Sequence, residues 1–102
     1  MEYSHMGIPT QTPREGETYL EDVKLYLTDF TKHPFGVEWL RFMPDSPMHE
    51  AVRTIPHVAF KVDDIEEAIQ GYEVIVPPTD GGDMIYAFVM CEGAPVELME
   101  YK

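Results

Sequence analysis

The sequence predicts a single α+β domain over residues 1–102, with strands dominating and a first half (1–50) that reappears in altered form in the second (51–102). Three observations predict it. Short runs of β-branched and aromatic residues, many alternating with period two, are bounded by Pro, Gly and Asp. One stretch only, "DDIEEAI" at 63–69, carries a helical apolar stripe behind a capping residue. The third observation is an internal repeat. "HMGIPT" from His5 and "HVAFKV" from His57 share the order His, apolar, small, apolar, and "VEWLRF" from Val37 and "VELMEY" from Val96 share Val, Glu, two apolar residues and a final aromatic.

The elements follow in order. Tyr3 to Ile8 alternates and reads as a strand, and "PTQTPREGE" (9–17) reads as a loop. A strand is expected from about Val23 to Asp29, a turn at "TKHPFG" (31–36), and a strand at "VEWLRFM" (37–43). Residues 44–54 form a linker with room for one helical turn. His57 to Val62 is a strand. Its Pro56, Val58, Phe60 and Val62 form the face expected in the core, opposite Ile55, His57, Ala59 and Lys61. Asp63 or Asp64 caps a helix that runs to about Gln70 and stops at Gly71, burying Ile65, Ala68 and Ile69. "YEVIV" (72–76) is a strand closed by Pro77-Pro78, and "TDGGD" is a turn. "MIYAFVMC" (84–91) and "PVELMEY" (95–101) form a hairpin around "EGA".

Composition narrows the function. A net charge of −12, with seven basic residues scattered among nineteen acidic ones, argues against nucleic acid and against anionic membranes. No 18-residue apolar run is present, and the N-terminus lacks a basic region followed by an apolar stretch. A lone Cys91 permits no intrachain disulfide, so a cytoplasmic location is expected. Most of the negative charge reads as solvated surface, with part of it open to use on a cation.

The repeat supplies the candidates. Each half carries a His early in its first strand and a Glu late, wrapped in hydrophobic sequence: His5 and Glu38, then His57 and Glu97. If two half-sheets curve around a cavity, two imidazoles and two carboxylates converge. Without a cation the carboxylates repel each other, and a buried unpaired charge costs several kcal/mol. A divalent ion relieves this, and two nitrogen with two oxygen ligands suit Ni²⁺, Co²⁺, Zn²⁺, Mn²⁺ or Fe²⁺. Small residues beside the histidines leave room for a small-molecule substrate. The bland readings stand beside this one. A strand histidine is usually structural. His33 and His49 sit in polar turns, Cys91 reads as a structural thiol, and Gly81-Gly82 as a turn with no helix after it. Trp39 and the tyrosines are more often core than ligand stackers, and Lys61 either meets an anionic substrate group or ends a strand in solvent.

The residues from "PHVAFKVDDIEEAI" through "VIVPPTDGGDMIYAFVMCEGAPVELMEY", and more thinly "SHMGIPT" and "FGVEWLRF", resemble the vicinal oxygen chelate superfamily, which includes glyoxalase I and extradiol dioxygenases. The resemblance implies glyoxalase-like paired βαβββ modules curved around a cleft, with His5, Glu38, His57 and Glu97 in the four metal-ligand positions. It makes Glu97 and Glu38 the candidate catalytic bases. This chain departs from the family between His5 and Val23, where a Pro- and Gly-containing loop replaces a helix and trims the first module. The sheet face so exposed leads to the expectation of a homodimer. The implied activity is a metal-dependent lyase or isomerase acting on a small oxygenated metabolite. The rivals are an iron-dependent dioxygenase and a non-catalytic protein that binds or sequesters a small molecule. The acidic balance disfavours highly anionic substrates such as coenzyme A esters.

Overall fold

Each half of the chain contributes four strands to one sheet. The computed structural model describes all 102 residues. In chain order the elements are β1 (Glu2–Pro9), β2 (Thr18–Leu20), β3 (Leu25–Leu27), β4 (Val37–Phe42), α1 (Glu50–Thr54), β5 (His57–Lys61), α2 (Ile65–Ala68), β6 (Glu73–Asp80), β7 (Met84–Cys91) and β8 (Ala94–Tyr101). The spatial order is β2-β3-β4-β1-β5-β8-β7-β6, a mixed sheet curled into half a barrel. Adding four to each strand number of the first half gives the second half's order read inward from the opposite edge. The register repeats as well. β1 and β4 are parallel with Gly7 beside Glu38, and β5 and β8 are parallel with Ala59 beside Glu97. The halves meet where β1 and β5 run antiparallel, with His5 opposite Ala59 and Gly7 opposite His57.

Several elements differ from the sequence-based expectations. The strand expected at 23–29 is only Leu25–Leu27, because Glu21–Val23 forms a 3₁₀ turn and Lys24 takes a left-handed conformation (φ 48°). Ahead of it β2 pairs with β3, Tyr19 against Tyr26, a strand the sequence reading did not assign. Pro77-Pro78 does not end β6. That strand lies at the sheet edge, where a missing N–H is tolerated, and its pairing with β7 slips on both sides of Val76. The helix expected to reach Gln70 is one turn, Ile65–Ala68, capped by the Asp64 carboxylate, which accepts from the Glu66 and Glu67 amides. In the 44–54 linker the single turn is real: His49 caps α1 through its Nδ1, which accepts from the Ala51 amide, and Val52 is buried.

The two sheet faces also divide differently from the expectation. Phe60 and Val62 do pack with Ile65, Ala87, Val89 and Leu98 on the convex side beneath α2. Yet Val58, Phe60 and Val62 are only partly buried, whereas His57 and Ala59 on the opposite face are almost wholly so. The cause is curvature, since the concave side is enclosed by the strands themselves and the convex side has one helical turn to cover it. In β1, a bulge at Ser4 separates Tyr3 from His5, so Tyr3 packs edge-on to Phe60 instead of sharing the histidine's face.

The convex side of the first half has no helix. The 9–17 loop covers part of it, with the Arg14 guanidinium 3.8 Å from the Trp39 ring centroid. Glu17 makes a two-point ion pair with Arg41, which lies over Tyr26. Tyr19 remains exposed there. No helix is long and apolar enough to cross a membrane.

Candidate metal centre

The concave face gathers the repeated residues. On alternate positions of β1, β5 and β8 stand His5, His57 and Glu97, 2%, 3% and 7% exposed, and they are the three polar or charged side chains among the fully buried residues. One donor atom from each lies within 4.8 Å of the others, close enough to hold a metal ion. His57 Nε2 is 3.2 Å from Glu97 Oε1, and His5 Nε2 is 3.4 Å from the same oxygen. Glu38, the repeat partner of Glu97, brings its Oε1 to 3.4 Å from His5 Nε2. It stands outside the tight cluster and keeps more contact with solvent, with a side chain 15% exposed.

Local structure fixes both rings. The Ser4 bulge places Oγ 3.0 Å from His5 Nδ1, within hydrogen-bond reach, and Nε2 is left facing the carboxylates. Phe30, from the 3₁₀ turn Phe30–Lys32, stacks on His5 with 4.0 Å between ring centroids. His57 meets the edge of Phe88 at 4.9 Å on one side and the bare backbone of Gly7 on the other. A Cβ at Gly7 would lie 2.3 Å from His57 Cε1. Gly7→Ala is therefore expected to push the His57 ring out of the cluster and weaken zinc binding at least tenfold. Calorimetric titration of the folded variant checks this, and wild-type affinity contradicts it.

The electrostatics match a cation site. Burial alone would lower the His5 pKa, but the carboxylates of Glu38 and Glu97 outweigh it and push the imidazole up to about 9. Burial likewise works to raise Glu97, yet His5 and His57 hold it below the ordinary carboxylate value. Even so, His5 Nε2 has no well-aligned hydrogen-bond partner, and neither does His57 Nδ1. A buried ring nitrogen that faces two carboxylate oxygens without a well-aligned hydrogen bond is compatible with a ligand role. His5, His57 and Glu97 are thus close enough to hold a metal ion, with Glu38 beside them.

The fold has a solved counterpart. The crystal structure of the hypothetical protein BH1468 from Bacillus halodurans C-125 is similar, with a TM-score of 0.69 at 20% sequence identity over 99% of this chain and 94% of that chain. At that identity the likeness concerns the fold alone. No protein-family model matches the chain, and no curated protein does.

The cluster opens on a cleft of about 360 Å³ whose wall includes His5, Glu38 and Glu97; fourteen of its twenty lining residues are hydrophobic. His57 is not in the wall. Lys61 is not either: its ammonium lies 5.2 Å from the Tyr101 ring centroid. His33 and Cys91 take no part, and Trp39 lies on the convex side. Sequence reasoning missed Phe30, which stacks on His5 from a turn where no periodicity marks it, and Ser4, whose only signal is a hydroxyl adjacent to the histidine.

Proposed function

We propose that the chain is a metal-dependent lyase or isomerase of the vicinal oxygen chelate type, acting on a small oxygenated metabolite. The observation that supports this reading is the pairing of a buried His5–His57–Glu97 cluster with a carboxylate, Glu38, that touches it from the cleft wall. The repeated strand order supports paired βαβββ modules, with β5-α2-β6-β7-β8 as the complete one. A bound divalent ion supplies Lewis acidity toward substrate oxygens. The chain's own residues do the rest. Ser4 and Gly7 keep the two rings oriented, the apolar wall excludes water, and Glu38 Oε1 takes or returns the proton at a carbon next to a carbonyl.

The test is exchange chemistry. Zinc-loaded protein in D₂O is expected to accelerate exchange of the C–H protons next to the carbonyl of hydroxyacetone. Glu38→Gln is expected to lower that rate by roughly 10²-fold or more while zinc content stays unchanged. Exchange that is as fast in the variant removes Glu38 from the role.

One observation favours a second reading. The tight cluster is two histidines and one carboxylate, the composition used by non-haem iron oxygenases. Oxygen uptake by the ferrous-loaded protein, with no exchange activity, selects that alternative. The homodimer belongs to the same proposal and is supported by exposed Tyr19 on the helix-less face. A monomeric mass at micromolar concentration in analytical ultracentrifugation contradicts it.

A further inference from the structure

We infer that the cleft selects an uncharged ligand: a molecule with an apolar, aryl- or alkyl-sized body and a single oxygen-bearing head, carrying no phosphate or carboxylate away from that head. The inference rests on the metal reading for the head and on the cleft wall for the body. A phosphate or carboxylate buried away from water needs a cationic partner. The cleft offers none. No Lys or Arg is among its twenty lining residues. Lys61 comes nearest, over the Tyr101 ring, and five of the other six cations are engaged elsewhere: Lys24 pairs with Asp45, Arg41 with Glu17 and Lys102 with Asp80. Arg14 lies over Trp39, and Arg53 donates to the Met48 carbonyl.

The charge that is present has the wrong sign for an anion. Glu38, Glu97 and Asp83 all stand in the wall. A divalent ion would balance the first two and leave Asp83 uncompensated. Away from the cluster much of the wall is Leu25, Leu27, Phe42 and Met84, which reward apolar surface.

The test compares three probes on zinc-loaded protein by calorimetric titration, with zinc measured in the same sample. They are 2-hydroxyacetophenone, hydroxyacetone, and the first compound bearing a carboxylate at the ring position para to the hydroxyketone. All share one chelating head. The aryl ketone is expected to bind at least tenfold more tightly than hydroxyacetone, which lacks the body, and at least tenfold more tightly than its carboxylate. Leu20 is 41% exposed and part of the wall. Leu20→Arg is therefore expected to tighten binding of the carboxylate relative to the neutral probe, narrowing the ratio between them at least tenfold. Equal or tighter binding of the carboxylate by wild type overturns the inference, as does failure of the aryl ketone to bind at millimolar concentration. Failure of the metal reading is seen separately, as protein that retains no zinc. The comparison of body and charge is then made on the metal-free cleft, where the same two ratios decide it.

Discussion

Stripping zinc from the loaded protein with a chelator is expected to lower its thermal midpoint by roughly 10–20 °C. Free zinc at about 100 times its dissociation constant stabilises the folded state by roughly 2.7 kcal/mol, and each kcal/mol moves the midpoint of a domain this size by roughly 4–8 °C. The effect is large because the ligands come from three separate strands, β1, β5 and β8, and the unfolded chain has no preformed site. His57→Ala and Glu97→Gln are expected to abolish the chelator shift. Glu97→Gln keeps the side-chain volume, so its behaviour separates lost ligation from lost packing. His33→Ala, altered in a half-buried turn away from the cluster, is expected to retain the whole shift. Scanning calorimetry with and without chelator on all four proteins checks this.

The metal-free protein is expected to lose stability as pH rises through about 9. His5 carries a folded-state pKa of about 9 against an ordinary 6.5, because Glu38 and Glu97 stabilise its proton despite burial. A raised pKa means that the folded state holds the proton more tightly than the unfolded chain. The stabilisation is therefore fully present below about pH 6.5 and is lost as pH climbs through about 9, roughly 3 kcal/mol in all. Zinc takes the place of that proton. Binding near pH 7.5 is then expected to release about one proton from His5, read as a dependence of the calorimetric enthalpy on buffer ionisation. A flat stability profile between pH 6.5 and 10 in the metal-free protein contradicts this account of His5.

The legible part of the molecule was the part written twice. His5 and His57, each followed two residues on by a small residue, and Glu38 and Glu97 in matching "VE" strands could be aligned without a structure, because sheet register converts period-two spacing into shared faces. Bringing three of these four residues into one tight cluster took the curl of the sheet as well. The rest depended on tertiary geometry that spacing does not encode. Which face of β5 is the deeper one is set by the curl of the sheet, so hydrophobic Phe60 and Val62 ended half-buried while His57 was enclosed. The bulge at Ser4 moved Tyr3 to the other side, and Phe30 reached His5 from an irregular turn. Pro77 and Pro78 read as a strand terminus by local rules, and only the position of β6 at the sheet edge permits them. The missing helix of the first half was visible as a loop, but its replacement by Arg14 on Trp39 and Glu17 on Arg41 was not.

The most direct measurement is a crystal structure of zinc-loaded protein with anomalous data across the zinc edge. The account predicts one strong peak on the concave face, about 2.0–2.2 Å from His5 Nε2, His57 Nε2 and Glu97 Oε1, and opening toward the cleft. An anomalous peak at any other group of side chains, or a folded protein that takes up no zinc while His5 Nε2 keeps its contacts to Glu38 and Glu97, contradicts it.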